Sequence, residues 1–177
     1  MGAADNRVSL EQILDAREQR AIRQAQVRAR FGKAVVSITL VAPGPVKDSS
    51  RLRTVFQGAI AAVEAAQKQY GWPCRYRAVT FLETGPEALY VFDADIRALK
   101  SHLVFLENTM PLGRLWDLDV IGADGQSLSR KESGFDGRKC LVCNAPAFEC
   151  GRSRKHSLVS LTNAVKRIID NADVVIL

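Results

Sequence analysis

Long apolar runs are missing from this 177-residue sequence. Stretches such as Val104-Phe105-Leu106 fall far short of the roughly 20 residues a helix needs to cross a bilayer, so no membrane partner is expected. Where a secretory leader would carry an apolar centre, the stretch from Val8 to Phe31 is crowded with Arg, Glu and Gln, and a cytoplasmic protein is expected. Cysteine is sparse, with four residues; in a leaderless chain these speak against a disulfide framework and for reduced thiols, a metal site or simple burial. Internal repeats and low-complexity segments are absent. A Walker loop is absent too, because Pro43-Gly44-Pro45-Val46-Lys47-Asp48 has neither the glycine spacing nor the Gly-Lys-Ser/Thr ending.

What is present suits one folded domain spanning 1–177. Hydrophobic residues make up 47% and charged residues 25%, enough apolar material for a core. The net charge of +6 and a pI near 9.4 favour polyanionic partners, although an ordinary basic surface has the same numbers.

The pattern predicts an N-terminal helix over 8–31, capped by Ser9 and packed along a narrow stripe of Leu10, Ile13, Leu14, Ala21 and Ile22. A core over 34–122 follows. Alternation from Val35 to Leu40 reads as a strand. Ser49 or Asp48 caps a helix whose Leu52, Val55, Phe56, Ala59, Ile60, Val63 and Ala66 share one face. Arg75–Leu82 and Ala88–Phe92 read as strands, and Asp93 caps a helix with Ile96, Leu99, Leu103 and Leu106 inward. Arg114–Ile121 reads as a fourth strand, with Leu115, Asp117 and Asp119 on one face. Strand, helix, strand, strand, helix, strand is an α+β, ferredoxin-like βαββαβ order. The remainder, 123–177, carries cysteines, a basic run and a last helix from Ser157, and is expected over the free face or edge of the sheet. Cys74 reads as a small core residue and His102 as a boundary residue.

Three groups of residues point to chemistry. Asp117 and Asp119, roughly 7 Å apart by strand geometry, oppose each other's ionisation, a conflict that a divalent cation such as Mg²⁺ resolves. The same pair also suits a solvated edge strand. Lys47 and Arg51 stand at the start of the first core helix, where free N–H groups and the helix dipole favour phosphate; a rigid turn with solvated charges is the alternative. Cys140-x₂-Cys143-x₆-Cys150 with His156 offers three thiolates and an imidazole, a donor set for Zn²⁺. Arg152 and Arg154 stand beside it, before a helix, as further phosphate ligands or, equally, as part of a solvated basic turn.

Taken together, the segments Val41–Asp48, Pro111–Val120, Leu128-Ser129-Arg130 and Arg138–Cys143, with Cys150 and His156, resemble the citrate lyase holo-acyl-carrier-protein synthase family, also called apo-citrate lyase phosphoribosyl-dephospho-CoA transferase. Gly113-Arg114-Leu115-Trp116-Asp117-Leu118-Asp119 is the most specific mark. The resemblance implies a nucleotidyltransferase-type enzyme. It would take triphosphoribosyl-dephospho-CoA, attach the phosphoribosyl-dephospho-CoA group to a serine of the acyl carrier protein (gamma subunit) of citrate lyase, and release pyrophosphate. On that reading Asp117 and Asp119 hold Mg²⁺, with Arg114 catalytic beside them. Lys47, Arg114 and Arg130, which lie in the resembling segments, are expected to neutralise the departing pyrophosphate, and Arg51, outside them, joins this set by its charge and position alone. The Leu115–Val120 strand is also similar to the Leu-Asp-Leu-Asp-Ile strand of hydroxymethylpterin pyrophosphokinases, which are ferredoxin-like. The competing expectation is a basic, ferredoxin-like RNA-binding module with a zinc knuckle. The strands lack the interleaved aromatics that stack bases, which makes nucleic acid the weaker partner.

Overall fold

A computed structural model describes residues 7–175. Its elements are α1 (Leu10–Phe31), β1 (Val35–Leu40), α2 (Ser50–Gln69), β2 (Cys74–Thr80), β3 (Glu87–Phe92), α3 (Ile96–Thr109), β4 (Trp116–Ile121), α4 (Ala147–Ser153) and α5 (Leu158–Val175). The strands lie in the order β2-β3-β1-β4, and every neighbouring pair is antiparallel. The connection through α2 passes over β3 and the one through α3 passes over β1, which is the split βαβ arrangement expected from the element order.

The main core lies between the sheet and its two crossover helices. Val55, Phe56, Ala59 and Val63 of α2 and Leu99, Leu103 and Leu106 of α3 pack on Val36, Ile38, Tyr90, Phe92, Trp116, Leu118 and Val120. The helical residues recur every three or four positions and the strand residues alternate, so one face of each element is buried. Trp116 is fully buried, and its ring N–H donates to the carbonyl of Val55 at 3.0 Å. Ser9 and Gln12 form a capping box at the start of α1, and Ser49 caps α2. The cap of α3 is Asp95, not Asp93: the Asp95 side chain accepts from the backbone of Arg97 and Ala98, while Asp93 pairs with Lys33 at 2.7 Å.

The second face of the sheet is covered by α1, through a stripe different from the expected one. Leu10, Leu14 and Ile22 are exposed. The helix instead turns Val27 and Phe31 toward Val35, Leu89, Val91 and Tyr76. It is tied down by Arg20 and Arg23 on the buried Glu87 and by Gln24 on Ser37 at 2.9 Å. Arg20, Arg23 and Gln24 share this contact face with the apolar residues, so apolar periodicity alone does not reveal it.

The C-terminal third therefore does not take the free face. Residues after β4 follow its edge, with Leu128 N–H donating to the carbonyl of Val120 at 2.9 Å. Helix α5 joins the main core through Val165 and Ile169. Cys74 is exposed, because β2 is the opposite edge strand.

The fourth strand begins later than expected. Gly113–Leu115 form a 3₁₀ turn, and Leu115 turns into the main core instead of sharing the face of Asp117. A Cβ on Gly113 would lie 2.5 Å from the carbonyl oxygen of Leu106 and 2.6 Å from that of Glu107. These are helix backbone atoms with no freedom to swing aside. Gly113→Ala is accordingly expected to cost about 1–3 kcal/mol, as overpacking does. A lowered thermal midpoint of the variant checks it, and an unchanged midpoint would count against this packing.

Candidate active site

Because β4 lies at the sheet edge, alternate backbone groups face away from β1 and need partners. Side chains supply most of them. The Leu118 N–H donates to Glu107 Oε1 at 2.8 Å and Lys100 Nζ donates to the Leu118 carbonyl at 3.1 Å. Arg138 Nη1 donates to the Trp116 carbonyl at 2.9 Å. Lys100 and Glu107 come from α3 and are both buried; Arg138 comes from the segment after β4.

Glu107 is the centre of this edge. Only 1% of it is exposed, and it pairs with both Arg130 and Arg138. Burial raises its carboxyl above the usual range, while Arg138, the Leu118 N–H and Arg130 pull it back. Arg138 also reaches Asp117 Oδ1 at 2.9 Å, so one guanidinium joins the buried Glu107 to the carboxylate face.

Asp117 and Asp119 do share a face, opposite Thr39 and Ser37 of β1. Their surroundings differ. Asp117 is held by Arg138 and lies within reach of Thr39 Oγ1, 3.4 Å from its Oδ2. Asp119 has a looser cation, Lys100 Nζ at 3.7 Å, and 48% of its side chain is exposed. The protein packed around Asp119 and the neighbouring Asp117 charge hold its carboxyl above the usual range, against the pull of Lys100 and Arg138.

A concavity of about 860 Å³ opens beside this edge. Arg114, Arg130, Arg138, Lys139 and Arg154 line it, together with apolar residues such as Val41, Leu141 and Leu161. Arg114 is steadied by donating to the carbonyls of Lys139 and Cys140, both at 3.1 Å. Arg130 and Arg138 also line an adjoining recess of about 400 Å³ that holds Asp119 and Lys100.

The expected residues are thus only partly brought together. Arg114, Arg130 and Arg154 share the cleft. Lys47 lies elsewhere, in a recess of about 360 Å³ with Asp117 and Thr39; it donates to the Ala42 carbonyl, and burial and Arg17 hold its pKa below the usual lysine value. Arg51 pairs with Asp170 of α5 at 3.0 Å, away from the aspartates. Arg152 is exposed and lines none of these cavities. Cys140, Cys143, Cys150 and His156 do converge, with one donor atom from each within 4.8 Å of the others. Cys140, Cys150 and His156 also line the cleft.

Glu107, Lys100 and Arg138 were not singled out by the sequence reading. The signal for the first two was a pair of charges seven residues apart on α3, each next to a residue of the apolar stripe (Leu99 and Leu106). A spacing of seven puts both on one helical face. Arg138 lies in a segment that carries the family resemblance. The face on which an RNA-binding sheet stacks bases is covered here by α1, so the RNA-binding alternative finds no support.

Residues 8–172 match the model of the apo-citrate lyase phosphoribosyl-dephospho-CoA transferase family. The chain belongs to that family. Among similar proteins, the apo-citrate lyase phosphoribosyl-dephospho-CoA transferase of Citrobacter koseri is 37% identical over 171 residues, covering 97% of this chain and 93% of the relative. Those of Shigella boydii serotype 18 and Escherichia coli O157:H7 are 36% identical over the same shares. The chain is therefore an enzyme, and its class is transferase. In this family member, the segments beginning at Gly113 and at Arg138 meet at the β4 edge through the Arg138–Trp116 bond. Among the described residues, no helix is long and apolar enough to cross a membrane.

Proposed function

We propose that this transferase seats triphosphoribosyl-dephospho-CoA in the arginine-lined cleft and passes its phosphoribosyl-dephospho-CoA group to a serine of the acyl carrier (gamma) subunit of citrate lyase. The serine oxygen attacks the phosphorus attached to the ribose, the bond to the outer two phosphates breaks, and pyrophosphate leaves. This is nucleotidyltransferase-type chemistry, catalysed chiefly by positioning and charge neutralisation. The observation that carries the reading is the cleft itself: Arg114, Arg130, Arg138, Lys139 and Arg154 converge on a concavity of about 860 Å³. That size is within the usual range for small-molecule sites. Its cations suit a triphosphate, and its apolar walls suit the rest of a nucleotide. The net charge of +6 also favours an acidic carrier protein.

Mg²⁺ belongs to the same proposal. Asp119, half-exposed and only loosely paired, fits an ion that arrives with phosphates, and Asp117 stands next to it on the strand. The ion would neutralise phosphate charge in the reaction. Arg130 and Arg138 lie between cleft and aspartates, which links the two parts of the site. Action in the cytoplasm agrees with the four free thiols, the state kept by a reducing compartment.

Intact-mass measurement of the carrier protein tests the reading. Incubation with donor, Mg²⁺ and this chain is expected to add one prosthetic group to the carrier and release pyrophosphate. Arg130→Ala is expected to weaken inhibition by inorganic triphosphate, with a corresponding rise in donor KM. An unmodified carrier, with the chain folded and the donor intact, would overturn the proposal.

A further inference from the structure

We infer that Cys140, Cys143, Cys150 and His156 form a structural Zn²⁺ site that holds together one wall of the cleft. The first observation is geometric. Cys143 Sγ lies 3.6 Å from Cys150 Sγ and 3.2 Å from His156 Nε2, and all four donor atoms fall within 4.8 Å. Tetrahedral zinc, with bonds of about 2.3 Å to sulfur and 2.0–2.1 Å to nitrogen, has ligand–ligand edges of roughly 3.5–3.8 Å. Two of the cluster's edges, at 3.6 and 3.2 Å, are already close to those dimensions, and the remaining donor atoms lie within 4.8 Å. The Val142 N–H points to Cys140 Sγ at 3.4 Å, the kind of supporting bond that orients a metal ligand.

The second observation concerns what else holds this segment. Across residues 123–157 the fully buried side chains are those of Cys140 and Cys150; Leu141 is only partly buried against the main core, and other ties are polar, such as those of Arg130 and Arg138 to Glu107. Phe148, which would be the natural apolar anchor, is 74% exposed, and α4 has only seven residues. A segment with so little apolar burial does not stabilise itself; a metal cross-link does so directly. Three cysteines and one histidine form a closed donor set, with no position left for substrate, so the role is structural and not catalytic.

The third observation is where the cluster sits. Arg114 donates to the carbonyls of Lys139 and Cys140. Arg154 adopts a left-handed conformation, φ 49°, where the chain leaves α4 and turns toward His156. Zinc in this cluster therefore bears on the positions of two arginines that line the cleft, Arg114 through the Cys140 carbonyl and Arg154 through its place between the ligands Cys150 and His156. The effect on the cleft rests on the donor reading above; the metal content does not.

The test is metal analysis of the full chain purified without chelator. One zinc per chain is expected, retained in Cys74→Ser and lost in Cys143→Ser. Replacement by Co²⁺ is expected to give the absorption of tetrahedral thiolate coordination, and this works on the wild-type chain even if the Cys143 variant does not fold. Removal of zinc by a chelator that is then washed out, with Mg²⁺ resupplied, is expected to lower the thermal midpoint by at least roughly 5 °C and to reduce carrier modification on the order of 100-fold, the scale of a misplaced site. A metal-free chain with no Co²⁺ spectrum and freely titrating thiols, or a Cys143–Cys150 disulfide, would overturn the site. Bound zinc whose removal leaves the transfer rate unchanged would overturn the link to the cleft. Zinc bound with no transfer in either form would count against the donor reading alone.

Discussion

Glu107→Ala is expected to lower the unfolding free energy by about 3–5 kcal/mol, the cost of breaking a buried ion pair from one side. The reason is the company Glu107 keeps. It accepts the Leu118 N–H and pairs with Arg130 and Arg138. Removing the carboxylate leaves an edge-strand N–H without its acceptor and two inward-facing guanidiniums without their counter-charge. Glu107→Gln keeps an acceptor for the Leu118 N–H and should cost less. Denaturant unfolding of both variants measures the difference, and an Ala variant within about 0.5 kcal/mol of wild type would show that the edge is held by other groups.

The pH dependence adds a separate readout. Burial places the folded-state pKa of Glu107 above its unfolded value. The stability linked to this shift is fully present below the unfolded value and is lost as pH rises through the folded one. Wild type should therefore lose stability across that window, and Glu107→Gln should lack this component of the slope.

Asp119→Asn is expected to reduce the transfer rate on the order of 10²–10³-fold, the scale of losing one charge-stabilising group at a reacting centre, with little change in stability. The side chain is half-exposed, and its Lys100 partner at 3.7 Å is beyond hydrogen-bond length, so little of the fold depends on it. Only the ionised carboxylate binds Mg²⁺. Because the protein packed around it and the Asp117 charge raise the pKa of metal-free Asp119, kcat/KM at subsaturating Mg²⁺ should rise with pH through a value above the usual carboxylate range. That limb should be missing from the residual activity of the Asn variant. A variant within about twofold of wild type would remove Asp119 from the chemistry, since a tenfold effect corresponds to only about 1.4 kcal/mol. Asp117→Asn is the informative contrast, because Asp117 also anchors Arg138 and its loss should disturb the cleft as well.

Much of this architecture was legible in one sequence. The apolar stripes of α2 and α3 and the alternation of β1 and β4 are strong periodic signals, because each element buries one continuous face. Ser9 and Ser49 mark helix starts by their own side-chain chemistry. The cysteine and histidine spacing foretold a convergence that the structure contains. Helix α1 was harder, because arginines and a glutamine do much of its packing. Asp93 and Asp95 are equally good caps by residue type, and only the chain path decides between them.

The aspartate face of β4 follows from the sequence alone, since alternation along a strand leaves Asp117 and Asp119 no choice but to share a side. Their family setting was legible too, in the Gly113–Val120 segment. What only the tertiary structure decided is the partners of those aspartates. Arg138 comes from a segment 21 residues beyond Asp117, and Lys100 and Glu107 from a helix before it. These residues meet because β4 ends up at the sheet edge, where its outward backbone groups and nearby charges must be satisfied at once. Sequence periodicity records which face of an element is buried; it carries no record of which distant side chains will answer an unpaired edge.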